Sequence, residues 1–165
     1  MIDSLKKLFG FESNQAEEPA SEGPDRTWVA TAVLLLEMAH ADDGFHELES
    51  HLVDRILGGK FDLDTRALKD LRLYAEQRRQ ESLDLYQFAR EINDHFSKKE
   101  KLEVMEHLWQ IVFADGKIDP YEEALSRQLA TLLKLSHKEM IDTKLHVREM
   151  SAGQDRGTGE KGAAG

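Results

Sequence analysis

Apolar residues recur at helical spacing along most of the chain, and no segment shows the strict alternation of apolar and polar residues that is typical of a half-buried strand. The stretch from Trp28 to Ala41 illustrates the pattern, with apolar residues at positions 29, 32, 33, 36 and 39 on one stripe. The pattern predicts an all-α fold, with about seven helices between residues 26 and 150.

Capping residues mark the starts of several predicted helices, at Asp64, Ser97, Asp119 and Ser136. The clearest signal is residues 119–122, which place Asp at the N-cap, Pro at the first helical position and Glu at the third. Gly58 and Gly59 are expected to stop the second helix, because glycine readily adopts the left-handed conformation of a C-terminal cap.

The folded body contains an internal repeat. Residues 41–49 (the first motif loop) and residues 114–122 (the second motif loop) align without a gap at an offset of 73 positions. The repeat continues into the helix that follows with a slip of one residue, and it predicts two pseudo-symmetric halves. Because carboxylates recur as well as apolar positions, packing alone does not explain it. The matched carboxylates are Asp42 with Asp115 and Glu49 with Glu122.

The repeated carboxylates predict a cation site. In each motif loop an Asp ends one helix and a Glu lies in the first turn of the next, so a short antiparallel connection brings them together. Neighbouring carboxylates are costly unless a cation or protons neutralise them. Oxygen ligands suit calcium, magnesium or manganese, and an added imidazole also suits zinc. The predicted ligands are Asp42, Glu49, Asp115 and Glu122, with Asp43, His46 and Asp119 as additional donors.

A purely structural role for these residues remains open. A capping box accounts for Asp119 with Glu122, and the helix dipole favours a Glu near a helix N-terminus. The dipole does not explain Asp42 and Asp115, because they lie at helix C-termini, where negative charge is disfavoured. A zinc site is a third alternative, although its residues have no imidazole counterparts in the second half; it would use His40, His46 and His51.

Composition narrows the classes of function. The chain has 165 residues, 40% of them hydrophobic, and no cysteine, which indicates one globular domain without disulfides or thiolate sites. Its formal charge of −10 argues against nucleic-acid binding and favours cations or a basic protein partner. No phosphate-binding loop or nucleophile motif is present, so we expect a non-enzymatic binding module in the cytoplasm. A carboxylate- or metal-dependent hydrolase is the alternative.

Three further segments flank or precede the body. Residues 1–9 form an amphipathic segment with two lysines, residues 10–25 read as a flexible linker, and the Gly-rich residues 151–165 are expected to be disordered. Residues 2–11 are able to make a weak peripheral contact with the anionic inner face of a membrane. Docking of this segment onto the body or a partner explains the same pattern.

The motif Ala114-Asp115-Gly116-x5-Glu122, its degenerate copy Ala41-Asp42-x6-Glu49 and the upstream Leu108-Trp109 resemble the TerB family of tellurite-resistance proteins over about residues 26–148. The same domain type forms the N-terminal region of DjlA-type co-chaperones, although this chain lacks their His-Pro-Asp tripeptide. The resemblance implies an all-α fold of two pseudo-symmetric halves, an acidic surface proposed to bind metal ions, and a link to stress-related or co-chaperone-type assemblies.

Overall fold

The computed structural model describes residues 24–41 and 47–164, apart from the side chains of Asp115 and of residues 154–164. Seven α-helices and one short 3₁₀ turn (Phe113–Asp115) make up this part of the chain, and no strand occurs in it. The helices are α1 (Arg26–Ala39), α2 (Glu47–Lys60), α3 (Thr65–Glu81), α4 (Tyr86–His95), α5 (Lys98–Val112), α6 (Pro120–Leu132) and α7 (His137–Ala164). The predicted N-terminal segment 1–9 and most of the linker lie outside the described residues.

Helix α1 is the centre of the bundle. Ten of its fourteen residues are buried, because the helix contacts α2, α3, α4, α5 and α6. A helix that is apolar on nearly all sides belongs in a core, so the apolar run around Leu34, Leu35 and Leu36 explains this position.

The two halves of the bundle share one arrangement. Helices α1, α2 and α3 correspond to α5, α6 and α7, and in each half the first helix packs against the other two. The two first helices, α1 and α5, contact each other, while α4 has no counterpart and packs on α1 and α6. This arrangement confirms the predicted all-α fold and its two related halves.

The four predicted helix starts are confirmed. The Asp64 side chain accepts a hydrogen bond from the Ala67 amide at 2.8 Å, and capping boxes open α5 and α6 at Ser97 and Asp119. The fourth start is a reciprocal pair as well, because the Ser136 amide donates to Glu139 at 2.8 Å and the Glu139 amide donates to Ser136 Oγ at 3.0 Å. These signals are local, so a sequence pattern can identify them.

The predicted stop of α2 at its two glycines is wrong. The helix continues through Gly58 and Gly59 to Lys60, and the left-handed residue is Asp62, with φ 52°. The Leu63 amide then donates to the Gly58 carbonyl at 3.0 Å, as in a Schellman closure. Leu63 packs against the core, so burial of the residue after the cap determines where the helix ends.

The second half ends α6 in the same way. Lys134 adopts the left-handed conformation, with φ 61°, and the Leu135 amide donates to the Ala130 carbonyl at 2.9 Å. Leu135 is buried. The internal repeat therefore includes the geometry of the helix ends as well as the sequence of the motif loops.

The last helix differs from the expectation at its C-terminal end. The sequence predicted a disordered tail from residue 151, whereas α7 extends from His137 to Ala164. No proline, which would break a helix, occurs in this stretch. Residues 151–153 are exposed. Among the described helices, none combines the length and apolar composition needed to cross a membrane.

Candidate functional site

Glu49 and Glu122 occupy equivalent places in the two halves. Each is the third residue of its helix, in α2 and α6 respectively, and each is only 1% exposed. Glutamate is among the residues that are rarely fully buried. The repeated burial of a carboxylate beside each motif loop is therefore the most specific feature of this region.

The second motif loop shows how its carboxylates are held. Glu122 Oε1 accepts a hydrogen bond from the Asp119 amide at 3.1 Å, and Asp119 Oδ1 accepts one from the Tyr121 amide at 2.7 Å. This is the predicted capping box. The capping box fixes Glu122 at the start of α6.

Gly116 ends the 3₁₀ turn of the second motif loop in the left-handed region, with φ 80°, and its amide donates to the Phe113 carbonyl at 3.0 Å. Glycine adopts this conformation without steric cost. Its counterpart in the first motif loop is Asp43, which lies outside the described residues.

The predicted cation ligands are only partly described. Of the seven donors, Glu49, Glu122 and Asp119 have described side chains. Within the described side chains, no group of three or more His, Asp or Glu residues is placed to hold a metal ion. The described donors are carboxylates, which suit calcium, magnesium or manganese. Because the other donors are not described, the cation site stays a prediction. The other four donors lie outside the description: Asp42, Asp43, His46 and the side chain of Asp115.

His40, one of the three histidines of the alternative zinc set, takes part in a polar network. Its Nε2 lies 2.9 Å from Glu76 Oε1, and burial together with the charge of Arg79 lowers its pKa below the usual value. His51 is exposed. The structure therefore gives His40 a role in joining α1 to α3.

We call this network the α1–α3 network; its residues are Glu37, His40, Glu76 and Arg79. The centre of the network is Arg79. Its Nε lies 3.0 Å from Glu76 Oε2, and its Nη1 lies 3.2 Å from Glu37 Oε2. Burial pushes the pKa of Glu76 up, but the hydrogen bond and charge of Arg79 outweigh burial, so this pKa is lowered. The sequence analysis missed the network because 42 positions separate Glu37 from Arg79.

The structure brings parts of the two motif loops together. The Phe113–Asp115 turn contacts α2, the helix that begins with Glu47. A groove of about 860 Å³ opens at this place, and we call it the motif groove. Its lining includes Glu47, Leu48, Ala114, Gly116, Val147 and Met150.

The motif groove exposes apolar side chains. Leu48 is 62% exposed and Met150 is 49% exposed, so two large apolar side chains lie at the surface of one groove. The sequence analysis did not identify this groove. An apolar residue in the first turn of α2, beside acidic Glu47 and Glu49, was the one available signal.

The architecture defines a class of protein: an all-α bundle of two repeated halves, each with a buried glutamate beside an acidic motif loop. The family comparison agrees with this class, since residues 28–145 match the family described as tellurite resistance protein TerB. The chain therefore belongs to the TerB family, and it contains a helical domain of the tellurite-resistance type. No curated protein and no solved structure matches the chain significantly.

Proposed function

We propose that this protein is a non-enzymatic binding module and that a partner protein docks in the motif groove. The observation that carries the proposal is the exposure of Leu48 and Met150 in a groove bounded by both motif loops. Apolar side chains that line a concave surface provide the buried centre of a protein interface. We place the module in the cytoplasm, in stress-related or co-chaperone-type assemblies.

The charge of the chain supports a basic partner. The formal charge is −10, and Glu47 lies at the edge of the motif groove. An acidic surface attracts a basic partner and speeds its encounter. The partner expected here carries an apolar anchor for the groove and basic residues around that anchor.

We further propose that a divalent cation links the two motif loops. Its ligands are the matched carboxylates Asp42, Glu49, Asp115 and Glu122, with Asp43, His46 and Asp119 as additional donors. The burial of Glu49 and Glu122 supports this proposal, because a cation offsets the cost of burying a carboxylate. When bound, the cation supplies positive charge between the loops that border the motif groove.

The test uses two positions that are equally exposed. Leu48 lies in the motif groove and Leu73 lies on α3, and both are 62% exposed. A photo-crosslinking amino acid is placed at position 48 or at position 73 of the full chain in cells. We expect a discrete adduct from position 48, and we expect none from position 73.

A dependence on the motif loops separates specific docking from chance contact. Asp115→Asn should reduce the adduct at position 48, because it removes one of the proposed cation ligands. Gln128→Ala, an exposed change on α6, should leave the adduct unchanged. Equal crosslinking from positions 48 and 73, or an adduct that is insensitive to Asp115→Asn, would contradict the proposed function.

A further inference from the structure

A second groove continues the motif groove toward the start of α1. It has a volume of about 700 Å³ and is lined by Trp28, Phe61 and Phe96 among others. Arg55 of α2 and Gln110 of α5 line both grooves. The two grooves therefore adjoin each other between α2 and α5, and we call them together the α2–α5 groove.

The end of the α2–α5 groove near α1 is aromatic, with a polar rim. The rings of Trp28 and Phe61 stack with centroids 5.3 Å apart, and Lys60 Nζ lies 5.6 Å from the centroid of the Phe96 ring. Lys60 Nζ also lies 3.6 Å from Glu103 Oε2. Such a surface suits a segment with apolar side chains on one face and charged side chains beside them.

The chain itself enters the fold at this end of the groove. Thr27 and Trp28 line it, and the 16 residues of the linker at positions 10–25 connect them to residues 1–9. A flexible linker of this length has a root-mean-square span of about 22 Å. A tether of this kind would keep a segment near its attachment point at an effective concentration of about a millimolar.

The N-terminal segment is short enough to fit in this groove, and it carries two lysines. Residues 2–9 as a helix would be about 12 Å long, and the 14 residues of α2 beside the groove span about 21 Å. One face of the segment is apolar, and Lys6 and Lys7 lie beside it. Glu100 and Glu103 of α5 line the groove, as do Arg55 and Lys60, and the two carboxylates are the groups that a lysine of the segment can pair with.

We propose that residues 2–9 dock in the α2–α5 groove of their own chain. The apolar face packs on the aromatic end at Trp28 and Phe61, and Lys6 and Lys7 point toward Glu100 and Glu103. Because the motif groove is part of the α2–α5 groove, the docked segment competes with a partner that binds in the motif groove. Only this competition rests on the proposed function, and the docking itself does not.

The absence of cysteine permits a direct test in the full chain. Ser4→Cys gives a single attachment point for a nitroxide, whose unpaired electron broadens the NMR signals of nearby amides. We expect loss of signal at Arg55, Gly59 and Gln110, and retained signal at Leu83, which is fully exposed outside the groove. The reference is the same sample after chemical reduction of the nitroxide.

Three comparisons make the result decisive. Adding Leu5→Asp and Leu8→Asp to the labelled chain should restore the signals of the groove, because these changes remove the apolar face. In a mixed sample, a chain that carries the nitroxide but no ¹⁵N is combined with an ¹⁵N chain that lacks the nitroxide. The ¹⁵N chain should show no broadening, since docking is within one chain. The broadening should also persist when vesicles of anionic lipid are added.

The proposal would be overturned by any of three results. These are broadening at Leu83 and not in the groove, broadening in the mixed sample, and groove signals that the nitroxide does not affect. Transfer of the segment to the vesicles, with loss of the broadening, would overturn it in favour of membrane contact. Each of these results leaves the crosslinking test at position 48 intact, so a failure of intramolecular docking is distinguishable from a failure of the proposed function.

Discussion

The two halves of the bundle differ most where they should be equivalent. In the first half, the α1–α3 network ties the end of α1 to α3 by hydrogen bonds of 2.9–3.2 Å. In the second half, three of the four corresponding positions line the motif groove. At the offset of 73 positions, Glu37 corresponds to Gln110 and His40 to Phe113. After the slip of one residue, Arg79 corresponds to Ser151.

The matched residues Arg72 and Lys144 also make different contacts. Arg72 Nη1 lies 2.7 Å from Asp54 Oδ1 and joins α3 to α2. Its counterpart Lys144 lies 3.9 Å from Glu123 Oε1 and 5.3 Å from the centroid of the Trp109 ring. Short charged contacts thus join α3 to α1 and α2 in the first half. The short charged contacts of the second half, made by Glu139 at 2.8 Å and by His146 at 2.6 Å, involve residues that do not line the motif groove. The comparison indicates that the matched positions join α1 to α3 in the first half, whereas in the second half they line the motif groove together with α2.

The largest expected effects concern the central helices, where the halves should behave alike. Leu35 of α1 and its counterpart Leu108 of α5 are both 0% exposed. Leu35→Ala and Leu108→Ala should each lower the free energy of unfolding by about 3 kcal/mol, because each leaves a cavity in the core. Urea unfolding measures this effect, with Leu73→Ala as the exposed control. A loss near zero for either core change would contradict the shared core.

The next effect should appear in only one half. Arg79→Met removes the centre of the α1–α3 network and leaves half-buried Glu37 and Glu76, so it should lower the free energy of unfolding by about 2 kcal/mol. Ser151→Ala, at the matched position, should change it by less than about 0.5 kcal/mol. Urea unfolding of both variants measures the difference. If both variants lost a similar free energy of unfolding, the two halves would not differ in how these matched positions stabilise the fold.

Local features of the fold were predictable from the sequence and distant ones were not. The starts at Asp64 and Ser136 depend on residues three positions apart, so the pattern contains all the information. The end of α2 depends on the burial of Leu63, which lies beyond the glycines that appeared to stop the helix. A sequence pattern cannot show this, because burial is a property of the whole bundle.

The candidate site divides in the same way. The repeat predicted Glu49 and Glu122 as an equivalent pair, and the structure places both in the same helical position with the same burial. The motif groove was not predictable, because it forms between α2, the turn before Gly116 and α7, whose residues are about 100 positions apart at the extremes. Spacing along the chain carries no signal for such a juxtaposition.

A smaller effect should follow from loss of the cap in the second motif loop. Asp119→Ala removes the side chain that accepts from the Tyr121 amide at 2.7 Å, and it should lower the free energy of unfolding by about 1 kcal/mol. Thermal unfolding measures the change, with Gln128→Ala as a control on the same helix. If the loss equalled that of a core substitution, Asp119 would have a role beyond capping.

The smallest expected effect depends on pH. Glu139 accepts from Lys98 Nζ at 2.8 Å, and this bond, with that from the Ser136 amide, lowers its pKa to about 2. A carboxyl whose pKa is lower in the folded state stabilises the protein above its unfolded pKa, and this contribution is lost as the pH falls from about 4.5 through about 2. Glu139→Gln should therefore destabilise the protein slightly at pH 7.

Urea unfolding at pH 7 and at pH 2 tests this dependence. The difference between the parent chain and Glu139→Gln should shrink at the lower pH, while Asp142→Asn, which changes an exposed pair on the same helix, should have little effect at pH 7. A difference that is unchanged between the two pH values would show that Glu139 acts without its charge.

The most direct measurement is an NMR titration of the full chain with calcium, magnesium, manganese and zinc. If one cation links the motif loops, the amides of Ala41, Glu49, Gly116 and Glu122 should shift together and saturate. Asp115→Asn should abolish the shifts in both loops, including the first, because the site is shared. No shift at millimolar cation, or a first loop that still responds normally in Asp115→Asn, would contradict a shared cation site beside the motif groove.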